Sequence, residues 1–195
     1  MGCEISGNTK TPSVLVIGVV HGDEPQGRFL IEKYLEGNPI TDILFVPSLN
    51  DSLQRVNANG VDLNRNFPTK NWELTEKDQY YGGPEPASEV ETKFLIELVE
   101  KYEPKVILTI HSPYKIVNYD GANSEYGLEI VNKVSEIIRY PVEASIGYPT
   151  PGSFGTWAGV EKGILTITLE LDEEADVEDL KLPVFEIFKY LETIK

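Results

Sequence analysis

Four short apolar runs predict β-strands in the sequence. Most are apolar at successive rather than alternating positions, which is typical of strands in a mainly parallel sheet that helices cover on both faces. The runs span residues 13–20, 43–47, 106–110 and 164–171. We therefore expect them to lie side by side in a buried sheet.

Apolar residues at helical spacing lie between and after these runs. A first helix is expected to open at Pro25 and to run on through Leu35. A second is predicted after Ser88 and Glu91, which have the spacing of a capping box, and should stop near Glu103 because a proline follows. The remaining periodic segments are a third helix over 128–138 and a last helix that begins near Pro183.

Strands that alternate with helices predict an α/β fold. We expect a three-layer sandwich in which a mainly parallel, mixed central sheet lies between helices on both faces. The chain has 195 residues, of which 41% are hydrophobic, so residues 1–195 are expected to form a single domain. Two irregular stretches, 49–84 and 140–162, are too long for ordinary connections, and such loops often carry function.

Charge and composition exclude several classes of partner. Lys and Arg number 17 against 32 Asp and Glu, a net charge of -15, so neither nucleic acid nor an anionic membrane is expected to bind. No stretch approaches the roughly 18 apolar residues of a membrane span. The single cysteine, Cys3, excludes an internal disulfide and a thiolate zinc cluster and fits a cytoplasmic location. Any metal site must then use His and carboxylate ligands, and the oligomeric state cannot be read from the sequence.

Polar residues at the ends of the apolar runs are the first candidates for function, because ligands of open α/β sheets bind beyond the carboxyl ends of the strands. His21 follows the first run, His111 follows the third, and Glu170 lies near the end of the last. One histidine at such a place is more often structural than functional. Here, however, both histidines of the chain fall at strand ends, which favours a shared site.

His21 and Glu24, three residues apart at a strand-to-helix turn, could converge on one ion, and the distant His111 would complete the set. Two histidines and one carboxylate make an open zinc site with a position left for water. Zinc lowers the pKa of the water that it binds. The H-x-x-E motif alone has little specificity. Glu170 interrupts an apolar strand, where a buried carboxylate is costly; it is either an outward-facing strand residue or a general base.

Residues 57–68 are rich in amides and contain an arginine, and such groups suit carboxylate binding. Arg65 could form a two-pronged pair with a substrate carboxylate, with Asn64 as a further donor and Arg55 as a second cation. The ordinary alternative is a solvated loop.

Three more loop residues could line the same cleft. Tyr148 lies in a Pro- and Gly-rich loop, and Ser112 and Tyr114 follow His111 closely. Packing of the tyrosine and solvation of the other two are the alternatives.

Taken together, four motifs resemble the zinc metallocarboxypeptidases related to carboxypeptidase A. Their order and context also match, and the resemblance spans about residues 13–172. The motifs are H-G-D-E at 21–24, V-D-L-N-R-N-F at 61–67, I-H-S at 110–112 and T-L-E-L at 168–171.

The resemblance implies a carboxypeptidase-like fold and assigns roles to residues. His21, Glu24 and His111 would bind one zinc ion, and Glu170 would be the general base. Such a site hydrolyses the amide bond next to a free carboxylate in a small peptide.

The same resemblance assigns the substrate-binding residues. Asn64 and Arg65 would hold the free carboxylate of the substrate, and Arg55 is similar to the arginine that stabilises the oxyanion. Tyr148 has the spacing of the mobile active-site tyrosine of the family.

Within the family, residues 147–157 (G-Y-P-T-P-G-S-F-G-T-W) are most similar to bacterial murein peptide amidases. These enzymes cleave the γ-D-glutamyl–meso-diaminopimelate bond of cell-wall peptides in the cytoplasm, so peptidoglycan recycling is the implied role. The chain departs from the wider family in three places. The region before Ser13 is short with no clear leading strand, Gly155 stands near the base of the specificity pocket, and Asp23 replaces an arginine of digestive carboxypeptidases.

Three alternatives remain. A general metallocarboxypeptidase would use the same site on ordinary C-terminal residues, and an N-acyl amino acid deacylase of the succinylglutamate desuccinylase and aspartoacylase type shares H-x-x-E and a later histidine. The N-R-N-F motif and the Tyr148 loop favour a peptidase. A carboxylate-binding module without catalysis is the non-enzymatic alternative, which Glu170 disfavours.

Overall fold

A seven-stranded mixed sheet runs through the part of the chain that the computed structural model describes, residues 4–38, 40–121, 124–144 and 147–195. Cys3 lies outside these residues. The strands in chain order are β1 (Ser6–Gly7), β2 (Val14–Ile17), β3 (Ile43–Val46), β4 (Val106–His111), β5 (Ile116–Asp120), β6 (Val142–Glu143) and β7 (Leu165–Glu170). Their order across the sheet is β1-β3-β2-β4-β7-β5-β6.

The centre of the sheet is parallel and its edges are mixed. Strands β3, β2, β4 and β7 are parallel neighbours, whereas β1 is antiparallel to β3 and β5 is antiparallel to β7. The four predicted apolar runs are β2, β3, β4 and β7, and their residues are almost all buried because helices cover both faces. The predicted α/β fold class is confirmed.

Helices pack on both faces of this sheet. They are α1 (Gln26–Gly37), α2 (Val90–Tyr102), α3 (Glu125–Ile138) and α4 (Val177–Leu191). One core, which includes Tyr34 and Phe188, joins the sheet to α1, α3 and α4. The other core, which includes Leu95 and Trp157, joins the opposite face to α2 and to a π-helical segment at Gly155–Glu161. None of the described helices combines the length and the apolar character needed to cross a bilayer.

Helix boundaries differ from the predictions in two places. Helix α4 begins at Val177 and not near Pro183, because Asp176 caps the helix by accepting a hydrogen bond from the Glu178 N–H. The predicted capping box at Ser88 is also wrong. The Ser88 hydroxyl donates to the carboxylate of Glu89 at 2.6 Å, and α2 begins without a side-chain cap.

Strand boundaries differ as well. Strand β2 ends at Ile17, before the end of the predicted run, and β5 was not predicted, because most of its residues are only partly buried and its pattern is mixed. A leading strand does exist, but β1 has only two residues. The long irregular stretches contain a 3-10 turn at Leu63–Arg65 in the first, and β6 and the π-helical segment in the second.

Candidate active site

The candidate active site lies at the carboxyl ends of adjacent parallel strands. His111 and Glu170 are the last residues of β4 and β7 and pair in register. His21 and Glu24 lie in the turn between β2 and α1. The topology of the sheet therefore brings together residues that are far apart in the sequence.

Gly22 allows this turn to pack against a neighbouring loop. Its N–H donates to the backbone oxygen of Gln54 at 2.8 Å, and a methyl group on Gly22 would collide with the same oxygen. A glycine is needed here because two backbone segments touch.

Glu24 lies between the two imidazoles. Its two carboxylate oxygens lie 2.8 Å from Nδ1 of His21 and 2.8 Å from Nδ1 of His111. The ring centroids of the two histidines are 5.0 Å apart. One ligand atom from each of the three residues lies within 4.8 Å of the other two. Within the described residues, this is the group of His and acidic side chains that can surround one metal ion.

The chemistry of these donors fits zinc. Two imidazole nitrogens and one carboxylate make an open zinc site in which a fourth position remains for water. The adjacent Glu170 adds a second observation, because its Oε2 is buried and has no hydrogen-bond partner among the described residues. A buried carboxylate oxygen without a partner is costly, and a water or substrate proton in the site would satisfy it.

Asp62 contacts His21 at Nε2, the ring nitrogen that does not face Glu24. It is fully buried, and its Oδ1 lies 3.1 Å from Nε2 of His21. Its Oδ2 accepts hydrogen bonds from Nη2 and Nε of Arg55 at 2.9 and 3.1 Å. A carboxylate on the outer nitrogen of a metal-binding histidine fixes the tautomer and the ring orientation. The contact leaves Nδ1 of His21 directed towards Glu24.

Each of the charged groups in this cluster shifts the pKa of its neighbours. Burial would lower the pKa of His21, but hydrogen bonds to Asp62 and Glu24 outweigh it and raise this pKa to about 9. Burial would raise the pKa of Glu24, but His111 and His21 hold it far below its usual range. The carboxylates of Asp62 and Glu24 therefore favour positive charge at this position, which a bound metal cation would supply. Burial raises the pKa of Glu170, which makes it a better proton acceptor.

Asn64 and Arg65 lie beside the cluster on the 3-10 turn. The side-chain oxygen of Asn64 accepts a hydrogen bond from the Phe154 N–H at 2.9 Å. This contact orients the amide nitrogen of Asn64, which has no acceptor among the described residues. Arg65 is buried, and one of its N–H groups donates to the Asn64 backbone oxygen at 2.7 Å. Both side chains line the cavity that contains the metal-ligand candidates.

The other predicted substrate residues line the same cavity, which has a volume of about 260 Å³. Tyr114 and Tyr148 are about half exposed, and the neighbouring Tyr148 phenol raises the pKa of Tyr114. Ser112 is buried, and its backbone N–H donates weakly to Glu24 at 3.4 Å. The structure therefore brings every predicted site residue to one cavity, although Ser112 contacts Glu24 through its backbone.

Sequence reasoning missed two residues. Asp62 belongs to the quoted V-D-L-N-R-N-F motif, but nothing in its local pattern indicates a contact with His21. Tyr80 also lines the cavity, and its ring centroid lies 5.0 Å from the Arg55 guanidinium and 5.9 Å from that of Arg65. No signal in the sequence distinguishes Tyr80 from other loop tyrosines.

Comparison with known proteins decides the family. The sequence model of the zinc carboxypeptidases, Peptidase M14, matches residues 41–192. The chain belongs to this zinc carboxypeptidase family. The match includes His111 and Glu170, whereas His21 and Glu24 precede it. The predicted resemblance is thus confirmed for the family.

Individual members of the family agree with this assignment. Murein peptide amidase A of Escherichia coli K12 is 36% identical over 115 residues, which are 53% of this chain and 46% of that protein. The chain therefore spans about half the length of this relative. Murein peptide amidase A of Vibrio campbellii is 32% identical over 177 residues, which cover 80% of this chain and 68% of that protein.

A solved structure of the family also matches. The crystal structure of murein-tripeptide amidase from Escherichia coli O157 superposes with a TM-score of 0.78 at 28% identity, covering 96% of this chain and 83% of that chain. The predicted carboxypeptidase-like fold and the predicted similarity to murein peptide amidases are both confirmed by these comparisons.

Proposed function

We propose that the protein is a zinc-dependent hydrolase that cuts an amide bond next to a free carboxylate. We further propose that its substrate is the γ-D-glutamyl–meso-diaminopimelate bond of murein peptides. The observation that carries the first proposal is the convergence of His21, Glu24 and His111 beside the unpartnered oxygen of Glu170. The names of the relatives support the substrate.

His21, Glu24 and His111 would hold the zinc ion, with Asp62 fixing the ring of His21. When bound, zinc lowers the pKa of a water and polarises a carbonyl oxygen. The residues of the chain supply the remaining chemistry.

Glu170 acts as the proton carrier in this proposal. Its buried Oε2 takes a proton from the attacking water and returns it to the amide nitrogen of the leaving residue, so one side chain serves as base and then as acid. The raised pKa of Glu170 suits this exchange. The guanidinium of Arg55, which stays charged, lies beside the cluster and stabilises the negative oxygen of the tetrahedral intermediate.

Arg65 and Asn64 select the bond. A two-pronged pair between Arg65 and the free carboxylate, with the Asn64 amide as a further donor, places the neighbouring amide bond beside Glu170. Tyr148, Tyr114 and Ser112 line the same cavity, where we expect them to contact the substrate. Removal of the free carboxylate should therefore abolish productive binding.

A panel of substrates tests the proposal. Zinc-loaded protein is incubated with the murein tripeptide L-alanyl-γ-D-glutamyl-meso-diaminopimelate, with plain C-terminal peptides and with N-acyl amino acids, and the released amino acid is measured by chromatography. We expect diaminopimelate to be released from the tripeptide. The matched control is the tripeptide amidated on the carboxylate next to the scissile bond, which should resist hydrolysis.

Other outcomes would contradict specific parts of the proposal. Preferential hydrolysis of plain C-terminal peptides would indicate a general carboxypeptidase, and hydrolysis of N-acyl amino acids alone would indicate a deacylase. Binding of these carboxylates without any hydrolysis would leave only a binding module. A cytoplasmic site of action is part of the same proposal, and cell fractionation with an antibody to the chain tests it.

A further inference from the structure

A second cavity of about 150 Å³ extends from the candidate active site along one face of the sheet. It shares Asn64, His111, Tyr148 and Glu170 with the catalytic cavity. It continues past these residues to Asp120 on β5. A substrate held by Asn64 and Arg65 would therefore project the side chain of its leaving residue into this second cavity.

Strand register places Asp120 relative to Glu170. On β5 and β7, Asn118 pairs with Thr168 and Ile116 pairs with Glu170. Alternate residues of a strand point to the same face, so Asn118 and Asp120 lie on the face that carries Glu170. Asp120 lies four positions along β5 from Ile116, which corresponds to about 13 Å along the strand. Only a long side chain on a substrate beside Glu170 could therefore approach Asp120.

Two glycines make room for the Asp120 side chain. A methyl group on Gly155 would collide with Oδ2 of Asp120, and a methyl group on Gly159 would collide with its Cβ. Gly155 itself lines the cavity. Gly155 itself contributes no charge to the pocket. Because it has no side chain, however, the Asp120 carboxylate on β5 can lie beside it and supply one.

The Asp120 carboxylate has no ion-pair partner in the part of the chain that the structure describes. Asp120 is only partly exposed, and among the described residues no cation or hydrogen-bond donor contacts its side chain. Burial accordingly raises its pKa. A carboxylate with restricted access to water is costly unless a partner of opposite charge joins it, and Asp120 lines the cavity.

We propose that Asp120, for which Gly155 leaves space, binds an ammonium group on the side chain of the leaving residue and so selects a residue that carries such a group next to the scissile bond. Diaminopimelate and lysine both carry such a group. The inference rests on the proposed function for the direction of the substrate, and it adds the residue that determines the side-chain preference.

Binding of free amino acids tests the inference without requiring turnover. L-Lysine and L-norleucine have side chains of the same carbon number, but only lysine carries the ammonium group. Calorimetric titration of the zinc-loaded protein should give about 10–100-fold tighter binding of lysine, the range for a hydrogen bond between charged groups. Asp120→Asn should remove this preference by weakening the binding of lysine alone.

A second variant and two controls separate recognition from damage to the fold. Gly155→Ala should reduce the preference because its methyl group displaces the carboxylate of Asp120, whereas Gly37→Ala adds a methyl group in open space and should have no effect. Asp42→Asn removes an exposed carboxylate that pairs with Lys195 and should also keep the preference.

Results that overturn the inference differ from those that overturn the proposed function. Equal binding of lysine and norleucine by the wild-type protein, or an unchanged preference in Asp120→Asn, would refute the role of Asp120 even if murein peptides are cleaved. A preference for lysine that depends on Asp120, in a protein that hydrolyses none of the panel, would support the inference and refute the hydrolase.

Discussion

Replacement of Asp62 by asparagine tests how the site is held together. The carboxylate is fully buried and contacts the outer nitrogen of His21 at 3.1 Å and the guanidinium of Arg55 at 2.9 Å. The asparagine side chain would have nearly the same shape, but it would carry no charge and its NH₂ group would face a donor on one of these two residues. A residue in this position typically contributes a factor of about 10–100 in metal affinity.

The stability effect of Asp62→Asn can also be estimated from the structure. Loss of one partner of a fully buried ion pair costs about 3–5 kcal/mol. Arg55 keeps 21% of its side chain exposed, so water can solvate the remaining charge. We therefore expect Asp62→Asn to lower the free energy of unfolding by about 1.5–3 kcal/mol, the value of one hydrogen bond to a charged group.

Two measurements check Asp62→Asn. Competition with a chromophoric chelator gives the zinc affinity, and urea unfolding of the metal-free protein gives the free energy of unfolding. Asp42→Asn is the control and should change neither quantity appreciably, because Asp42 is exposed and precedes β3, at the opposite end of the parallel strands from the metal-ligand candidates. Wild-type zinc affinity in Asp62→Asn would refute the supporting role of this carboxylate.

Three further predictions follow from the same geometry. Glu170→Gln should keep zinc, as measured by metal analysis, but should lower kcat at least about 100-fold because it removes the proton acceptor; unchanged turnover would exclude Glu170 as the base. Arg65→Ala should lower kcat/KM about 10–100-fold on a peptide with a free C-terminal carboxylate, and an equal loss on its amidated form would argue against carboxylate recognition. Leu95 of α2 is buried, so Leu95→Ala should lower the free energy of unfolding in urea by about 2–5 kcal/mol. Leu182 is 77% exposed, and Leu182→Ala should lower it by less than about 0.5 kcal/mol. Similar losses in the two variants would contradict the assigned cores.

The sequence predicted those elements whose burial is uniform. Strands β2, β3, β4 and β7 are continuous apolar runs because both of their faces are covered, and this pattern can be recognised without an alignment. Strand β5 shows no such run because its residues face environments of different polarity, and β1 and β6 are too short to show a period. The predicted helix start at Pro183 is wrong because Val177 and Leu180 already belong to the apolar stripe of α4 ahead of it.

For the candidate site, the sequence located side chains but not their mutual contacts. His21, His111 and Glu170 could be found because each lies at or near the end of an apolar run. The contact between Asp62 and His21 spans 41 residues of sequence, and the position of Asp120 beside Gly155 depends on the register of β5. Such contacts follow from the packing of loops and strands, which local patterns do not encode.

Zinc titration of the wild-type chain and of His111→Ala tests whether His21, Glu24 and His111 hold one metal ion. We expect one tightly bound zinc ion per wild-type chain, with nitrogen ligands from two histidines visible by X-ray absorption spectroscopy. Tight binding should be lost in His111→Ala, because the chain has only two histidines and no third imidazole can replace the lost ligand. Zinc bound by His111→Ala with wild-type affinity would show that His111 is not a zinc ligand and that the metal site is not the one described.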